Sequence, residues 1–299
     1  MQPLAAWLVA RPRNGGIGLL VTTLLLPFPL SFLIGGMVVA HLVFAVGLPR
    51  TAIIGFGAGT TMALVALILN VSVSQIVTNA VVAWLPVMVL AGLGRHLGSL
   101  TLTFQVSVII AVAVVLAFFV VLGNPVDFWN TVVTESIALF REAGAGDYAD
   151  WLVESRSVIV PQMTMLMVFV GWSTYTLVLL LAYALYQYLP GKAAVFGRFC
   201  DLNFGRVLAG VVGVASVLAV VTGSVLLQNV AFLILVTFWL QGLALLHWLY
   251  AEKKLPAFVL IATYVFMLPL IGVMMIAFSV LGYLDAWFNF RARSAMSQA

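Results

Sequence analysis

The sequence predicts an all-α fold, a polytopic transmembrane helical bundle, and three observations lead there. Of its 299 residues 64% are apolar and only 7% are charged, against about half and about a quarter in soluble domains. The apolar residues come in runs of the length a membrane helix needs, about 20. The few charges fall between those runs. The 13 basic residues form clusters at Arg11 and Arg13, Arg50, Arg95, Arg141 and Arg156, Lys192 to Arg206, Lys253 and Lys254, and Arg291 and Arg293. With Pro-broken segments at both ends, about 8–10 membrane segments are expected in one membrane domain over 1–299.

The first segment, 15–47, is apolar but carries Pro27-Phe28-Pro29 midway and has basic flanks. Proline lacks an N–H and interrupts a helix. Lys and Arg mark the cytoplasmic side, so two short limbs meeting at that turn keep Arg11, Arg13 and Arg50 together; one kinked helix is the alternative. Three spans follow over 51–122: Thr51 to Leu69, Gln75 to Leu93 and Leu100 to Leu122. The stretch 124–158 then holds six of the nine acids against two arginines, net −4, and is expected outside the cytoplasm. Three further spans fill 160–250: Val160 to Tyr188, Val207 to Leu227 and Ala231 to Tyr250, with the last two joined by a turn at Gln228 and Asn229. The C-terminal segment, 257–290, has Pro269 in its middle and basic flanks, and the same two readings apply. Both termini, Arg95, Arg198 and Lys253 are expected in the cytoplasm.

The acidic stretch has its own order. Asn124 can cap a helix with Pro125 at its first position, and Trp129, Val132, Val133, Ile137 and Phe140 follow at helical spacing. Gly144 and Gly146 end it, and a second helix is expected from Asp147, with Tyr148, Trp151 and Leu152 on one face. Such helices suit a membrane surface, either as a lid over a cavity or simply resting on headgroups.

No catalytic residue is expected. Gly144-Ala145-Gly146-Asp147 spells the Gly-x-Gly-Asp signature of intramembrane aspartyl proteases, but that chemistry needs two carboxylates sharing a proton, and no acid falls inside an expected span. Other catalytic patterns are missing, the three histidines are scattered, and the lone Cys200 rules out an internal disulfide or a cysteine metal cluster. Neither enzyme activity, metal nor cofactor is expected. The basic balance suits loops facing anionic membrane lipids and not nucleic acid.

Uncharged polar groups in lipid must find partners. Asn70, Gln75, Asn79 and Gln162, with Trp129 and Trp151, are the candidate contacts for a neutral or zwitterionic small molecule; pairing among themselves as helix glue is the alternative. Gln241 and His247 share one crossing. On the inner side, the stretch from Phe196 to Arg206 carries Arg198, Asp201 and Arg206 among phenylalanines, and reads as a docking element for a partner chain or as a lipid-facing linker. Asp285 and Arg291 near the C-terminus are further candidates for partner docking or an interface, and Asp285 is expected to pair with a cation. Arg291, six residues on, would lie on another helix face, which favours Arg198, Arg206 or Lys254.

The ending Gly282-Tyr283-Leu284-Asp285-Ala286-Trp287-Phe288-Asn289-Phe290-Arg291 resembles the C-terminal signature of the YybS-like predicted bacterial membrane proteins, with Gly282, Asp285, Trp287 and Arg291 matching. Gln241 to His247 followed by a lysine turn is similar to that family's penultimate helix, and Trp84-Leu85-Pro86 and the broken N-terminal segment also suit it. The resemblance implies a multi-pass protein of the bacterial inner membrane, distantly similar to the substrate-binding components of energy-coupling-factor transporters and to the rod-shape protein MreD. It supplies no catalytic or ligand residue. Two functions are thus expected: a small-molecule transport or substrate-binding component, or a non-transporting scaffold that works through partner chains.

Overall fold

The computed structural model describes residues 1–24, 30–267 and 269–292. The Pro27-Phe28-Pro29 turn and Arg293 lie outside them. Among the described residues the chain forms helices and no strand. In chain order these are α1 (Gln2–Ala10), α2 (Pro12–Leu24), α3 (Leu30–Val46), α4 (Leu48–Ile68), α5 (Val73–Leu97), α6 (Leu100–Leu122), α7 (Pro125–Glu142), α8 (Gly146–Ile159), α9 (Met163–Gln187), α10 (Gly205–Thr222), α11 (Val225–Thr237), α12 (Trp239–Ala251), α13 (Ala257–Met267) and α14 (Ile271–Phe288). Among the described residues seven helical stretches are long and apolar enough to cross a membrane, and Leu33–Val46 and Ala257–Met267 are shorter apolar helices. The fold is therefore an all-α, multi-pass membrane bundle. Its residues gather into two compact units, Met1–Phe104 with Ser173–Arg198, and Gln105–Trp172 with Phe199–Ala299.

In the first unit α2 and α3 fold back on one another. A Cβ added at Gly15 would meet Leu42 at 3.0 Å, one at Gly18 would meet Val38 at 3.5 Å, and one at Gly35 would meet Thr22 at 3.5 Å. Numbers that rise on one helix fall on the other, so the pair is antiparallel. α1 closes one end, where Ala5 O lies 3.1 Å from His41 Nε2. The unit's aromatic centre is Phe44, Tyr183, Tyr186 and Phe196, with ring centroids 5.4 to 6.4 Å apart. Such offset and edge contacts add to burial. The Tyr183 hydroxyl donates to Gly197 O at 2.8 Å and accepts the Phe196 N–H at 3.1 Å, tying the loop after α9 to this centre. Arg95 donates to Phe44 O at 2.7 Å, which places a cation on the orphan carbonyls at the C-terminus of α3, the negative end of its dipole.

In the second unit Asn124 caps α7 by accepting the Val126 N–H at 3.3 Å, with Pro125 at the first position. The apolar stripe of α7 packs with α8 and the turn after it in one cluster, Trp129, Val133, Ile137, Ala149 and Val160. α8 runs through a single 3₁₀ turn, Val160–Gln162, into α9. The turn between α10 and α11 is at Gly223 and Ser224, not at Gln228 and Asn229. Gly223 takes the left-handed conformation (φ 65°) that ends α10, and Ser224 caps α11 by accepting the Leu227 N–H at 3.4 Å. Backbone chemistry sets the boundary, and the two amides become side chains of α11. Asn229 is buried there, accepting from Met165 N at 2.8 Å and donating to Pro161 O at 2.7 Å and Val225 O at 2.8 Å. It joins α11 to the start of α9.

Candidate functional site

Two places concentrate chemistry, one in each unit. In the second unit it begins with a close helix crossing. α12 and α14 meet through Gly242 and Gly282: a Cβ on Gly242 would fall on Phe278 O, and one on Gly282 would fall on Phe238 O and lie 2.7 Å from Gly242 N. Small residues let membrane helices approach this closely. The approach brings polar groups of the two helices together. Gln241 Nε2 donates to Asp285 Oδ2 at 2.9 Å, and Gln241 Oε1 accepts the Phe204 N–H at 2.7 Å. Gln105 Nε2 donates to Asn203 O and Phe204 O at 3.1 and 3.2 Å, so the chain after the 3₁₀ turn Phe199–Asp201 is fastened at successive residues.

Asp285 is 1% exposed and lies within α14, which corrects the expectation that no acid falls inside a span. Its partner also differs from the one expected. Arg291 Nη2 stands 3.4 Å from Asp285 Oδ2, an ion-pair separation without hydrogen-bond alignment. Only a continuous α14 would carry Arg291 to another face. It stops at Asn289, whose left-handed backbone (φ 48°) caps the helix, and the reversed chain returns Arg291 to the carboxylate while Phe290 N donates to Asp285 Oδ1 at 3.2 Å. Burial pulls the Arg291 guanidinium below its ordinary pKa, and the carboxylates of Asp285 and Asp201 oppose that pull. Arg206 Nη2 reaches Trp287 O at 3.4 Å, again a cation at a helix C-terminus. Asp201, Arg206, Asp285 and Arg291, read from sequence as partner-docking residues, are thus gathered around the end of α14. The stretch leading to Arg206 is built into the unit, with Leu202 and Phe204 fully buried. As a chemical device the cluster is closed: the carboxylate already accepts from a side-chain amide and a backbone N–H beside a guanidinium.

In the first unit a groove of about 530 Å³ runs between α4 and α5. One wall is a row of small residues on α4, Ala52, Gly55, Gly59 and Ala63; the other is formed by α5, chiefly Ile76, Val81, Trp84 and Met88. Spacings of three and four put the small residues on one helical face. A row of this kind in a membrane is ordinarily filled by a neighbouring helix. Here a Cβ on Gly59 would meet nothing within 4 Å, and one on Gly55 would only touch the Trp84 ring at 3.9 Å. The far edge of that indole is turned inward, where its Nε1 lies close to Gly35 of α3.

The amides expected to hold a ligand sit elsewhere. Asn70, at φ 53° beyond the end of α4, and Gln75 and Asn79 on the first turns of α5 are all exposed. In the second unit Gln162 is half-buried in the 3₁₀ turn, and Trp151 is exposed. Trp129, expected to present its ring to a ligand or to the membrane surface, is instead 7% exposed and spends its N–H on Thr164 Oγ1 at 2.8 Å; it is a packing residue, with the Phe118 ring of α6 stacked against it. The α4 row was the residue set that amide counting overlooked, and its spacing of small residues in the sequence was the available signal. The described residues contain no group of three or more His, Cys, Asp or Glu placed to hold a metal. No family model, curated protein or solved structure matches this chain.

Proposed function

We propose that this chain is a substrate-binding component of the bacterial inner membrane that takes a small, largely hydrocarbon ligand into the groove between α4 and α5. The observation that carries this reading is the open small-residue row facing Trp84: its volume falls within the roughly 300–1,000 Å³ of small-molecule sites, and its walls are apolar. Such a ligand enters sideways from the bilayer and needs no ionisable partner. The likeness of Gly282, Asp285, Trp287 and Arg291 to the YybS-like ending, and that family's distant similarity to energy-coupling-factor substrate-binding components, point the same way. The closed Asp285 cluster favours a component that does not couple to protons, since a carboxylate in a proton pathway must be free to exchange.

The same small-residue row also favours a second reading, a scaffold whose groove receives a helix of a partner chain. Native mass spectrometry of the chain released from mild detergent separates the two. A retained small-molecule mass that is lost in Gly59→Leu, with the melting temperature unchanged, supports the first; a retained partner chain lost in the same variant supports the second. A parent chain that carries neither removes the groove from consideration.

A further inference from the structure

A second cavity, away from the groove, combines apolar walls with unneutralised cations. It has a volume of about 370 Å³, and Leu8, Leu42, Ile53 and Ile54 are among its walls, with Arg11 and Arg50 beside them. Arg50, the third residue of α4, occupies the wrong end of a helix, since an N-terminus already carries about half a positive charge, and Arg11 stands at the junction of α1 and α2, following the C-terminus of one and preceding the N-terminus of the other. Among the described residues neither side chain makes an ion pair or hydrogen bond. No acid of their own unit can serve either. The first unit contains six basic residues, Arg11, Arg13, Arg50, Arg95, Lys192 and Arg198, and all nine acids of the chain lie in the second unit. Arg95 is answered by the carbonyls of α3, whereas Arg11 and Arg50 are not.

We propose that this pocket is a site for an anionic phospholipid. The phosphodiester sits between Arg11 and Arg50, which suit phosphate because the guanidinium fork matches its oxygens, and part of an acyl chain fills the cavity. The two halves of the site select the ligand together. Free phosphate uses the cations and leaves the apolar walls wet. A zwitterionic lipid fills the cavity but brings its own ammonium to an already positive spot. An anionic lipid satisfies both, and the charge rule puts this face on the cytoplasmic side, where basic pockets between membrane helices meet anionic headgroups.

The test is native mass spectrometry of the full chain, delipidated in a neutral detergent and titrated in turn with dioleoyl phosphatidylglycerol, dioleoyl phosphatidylcholine and inorganic phosphate. The expected result is a first phosphatidylglycerol adduct that forms at least tenfold more readily than the phosphatidylcholine adduct, with no phosphate adduct at the same concentration. Arg11→Gln with Arg50→Gln loses that preference, while Arg13→Gln, outside the pocket, keeps it. Ile53→Trp fills the cavity with both arginines in place and loses the adduct as well, so the outcome does not hang on one variant's stability. Equal binding of the two lipids, an equally strong phosphate adduct, or a parent-like preference in both pocket variants overturns the proposal.

Discussion

Gly282→Ala is the sharpest perturbation of the α12–α14 crossing. The added methyl would lie 2.7 Å from Gly242 N and 3.1 Å from Phe238 C, and would fall on the Phe238 carbonyl oxygen, where ordinary contacts run from 3.4 to 4 Å. These are backbone atoms, so no side chain can rotate away; α14 must shift from α12 by roughly an ångström. Overpacking of this kind costs ~1–3 kcal/mol. The shift also stretches the 2.9 Å bond from Gln241 to Asp285 and the 3.1 Å bond from Ser279 Oγ to Val236 O, each worth about 0.5–1.5 kcal/mol net. A total near 3 kcal/mol is expected, enough to remove a large part of a marginal domain's stability. Gly210→Ala is the control, because a Cβ there meets nothing within 4 Å and alanine in a helix gains up to about 1 kcal/mol over glycine. Reversible unfolding by dodecyl sulfate, read by dye attachment to Cys200 in the 3₁₀ turn that packs on α12, gives both numbers. If Gly282→Ala unfolds at the same midpoint as Gly210→Ala, the close crossing and the argument built on it are wrong.

The same assay checks three more expectations. Asp285→Ala strips the acceptor from Gln241 and Phe290 and leaves the half-buried Arg291 with only Asp201 to oppose its desolvation, for a loss of up to about 3–5 kcal/mol; Asp285→Asn keeps one acceptor and is expected to lose less than half of that. Trp129→Phe keeps a buried ring but forfeits the bond to Thr164, about 1 kcal/mol, whereas Trp151→Phe is expected to stay within ~0.5 kcal/mol; equal effects would mean that Trp129 is not tied to α9 through Thr164. Asn229→Leu orphans Met165 N and Pro161 O and is expected to destabilise by ~1–3 kcal/mol, and an unchanged midpoint would remove Asn229 as the tie between α11 and α9.

What the sequence made legible was set by long-range hydropathy and by local caps. The apolar runs gave the bundle, and Asn124-Pro125 with its helically spaced Trp129, Val133 and Ile137 gave α7 to its first residue. What it hid depended on single backbone conformations and on which face finds a neighbour. The amides at Gln228 and Asn229 drew the turn away from Gly223-Ser224, although a left-handed glycine followed by a capping serine is the stronger stop and start. Six residues of helix put Arg291 opposite Asp285, until the left-handed Asn289 reversed the chain. Trp129 looked like an interfacial ring because amphipathicity does not say whether lipid or protein covers the apolar face. Polar residues attracted attention as ligand contacts, while the groove is defined by residues that have almost no side chain.

Whether the α4–α5 groove is an occupied binding site is decided by a high-resolution structure of the chain in lipid nanodiscs. Elongated density is expected along Gly55, Gly59 and Ala63 in contact with the Trp84 ring, absent from Gly59→Leu. A groove closed by direct packing of α4 on α5, with Gly59 against a side chain of α5 and no density between them, would contradict it.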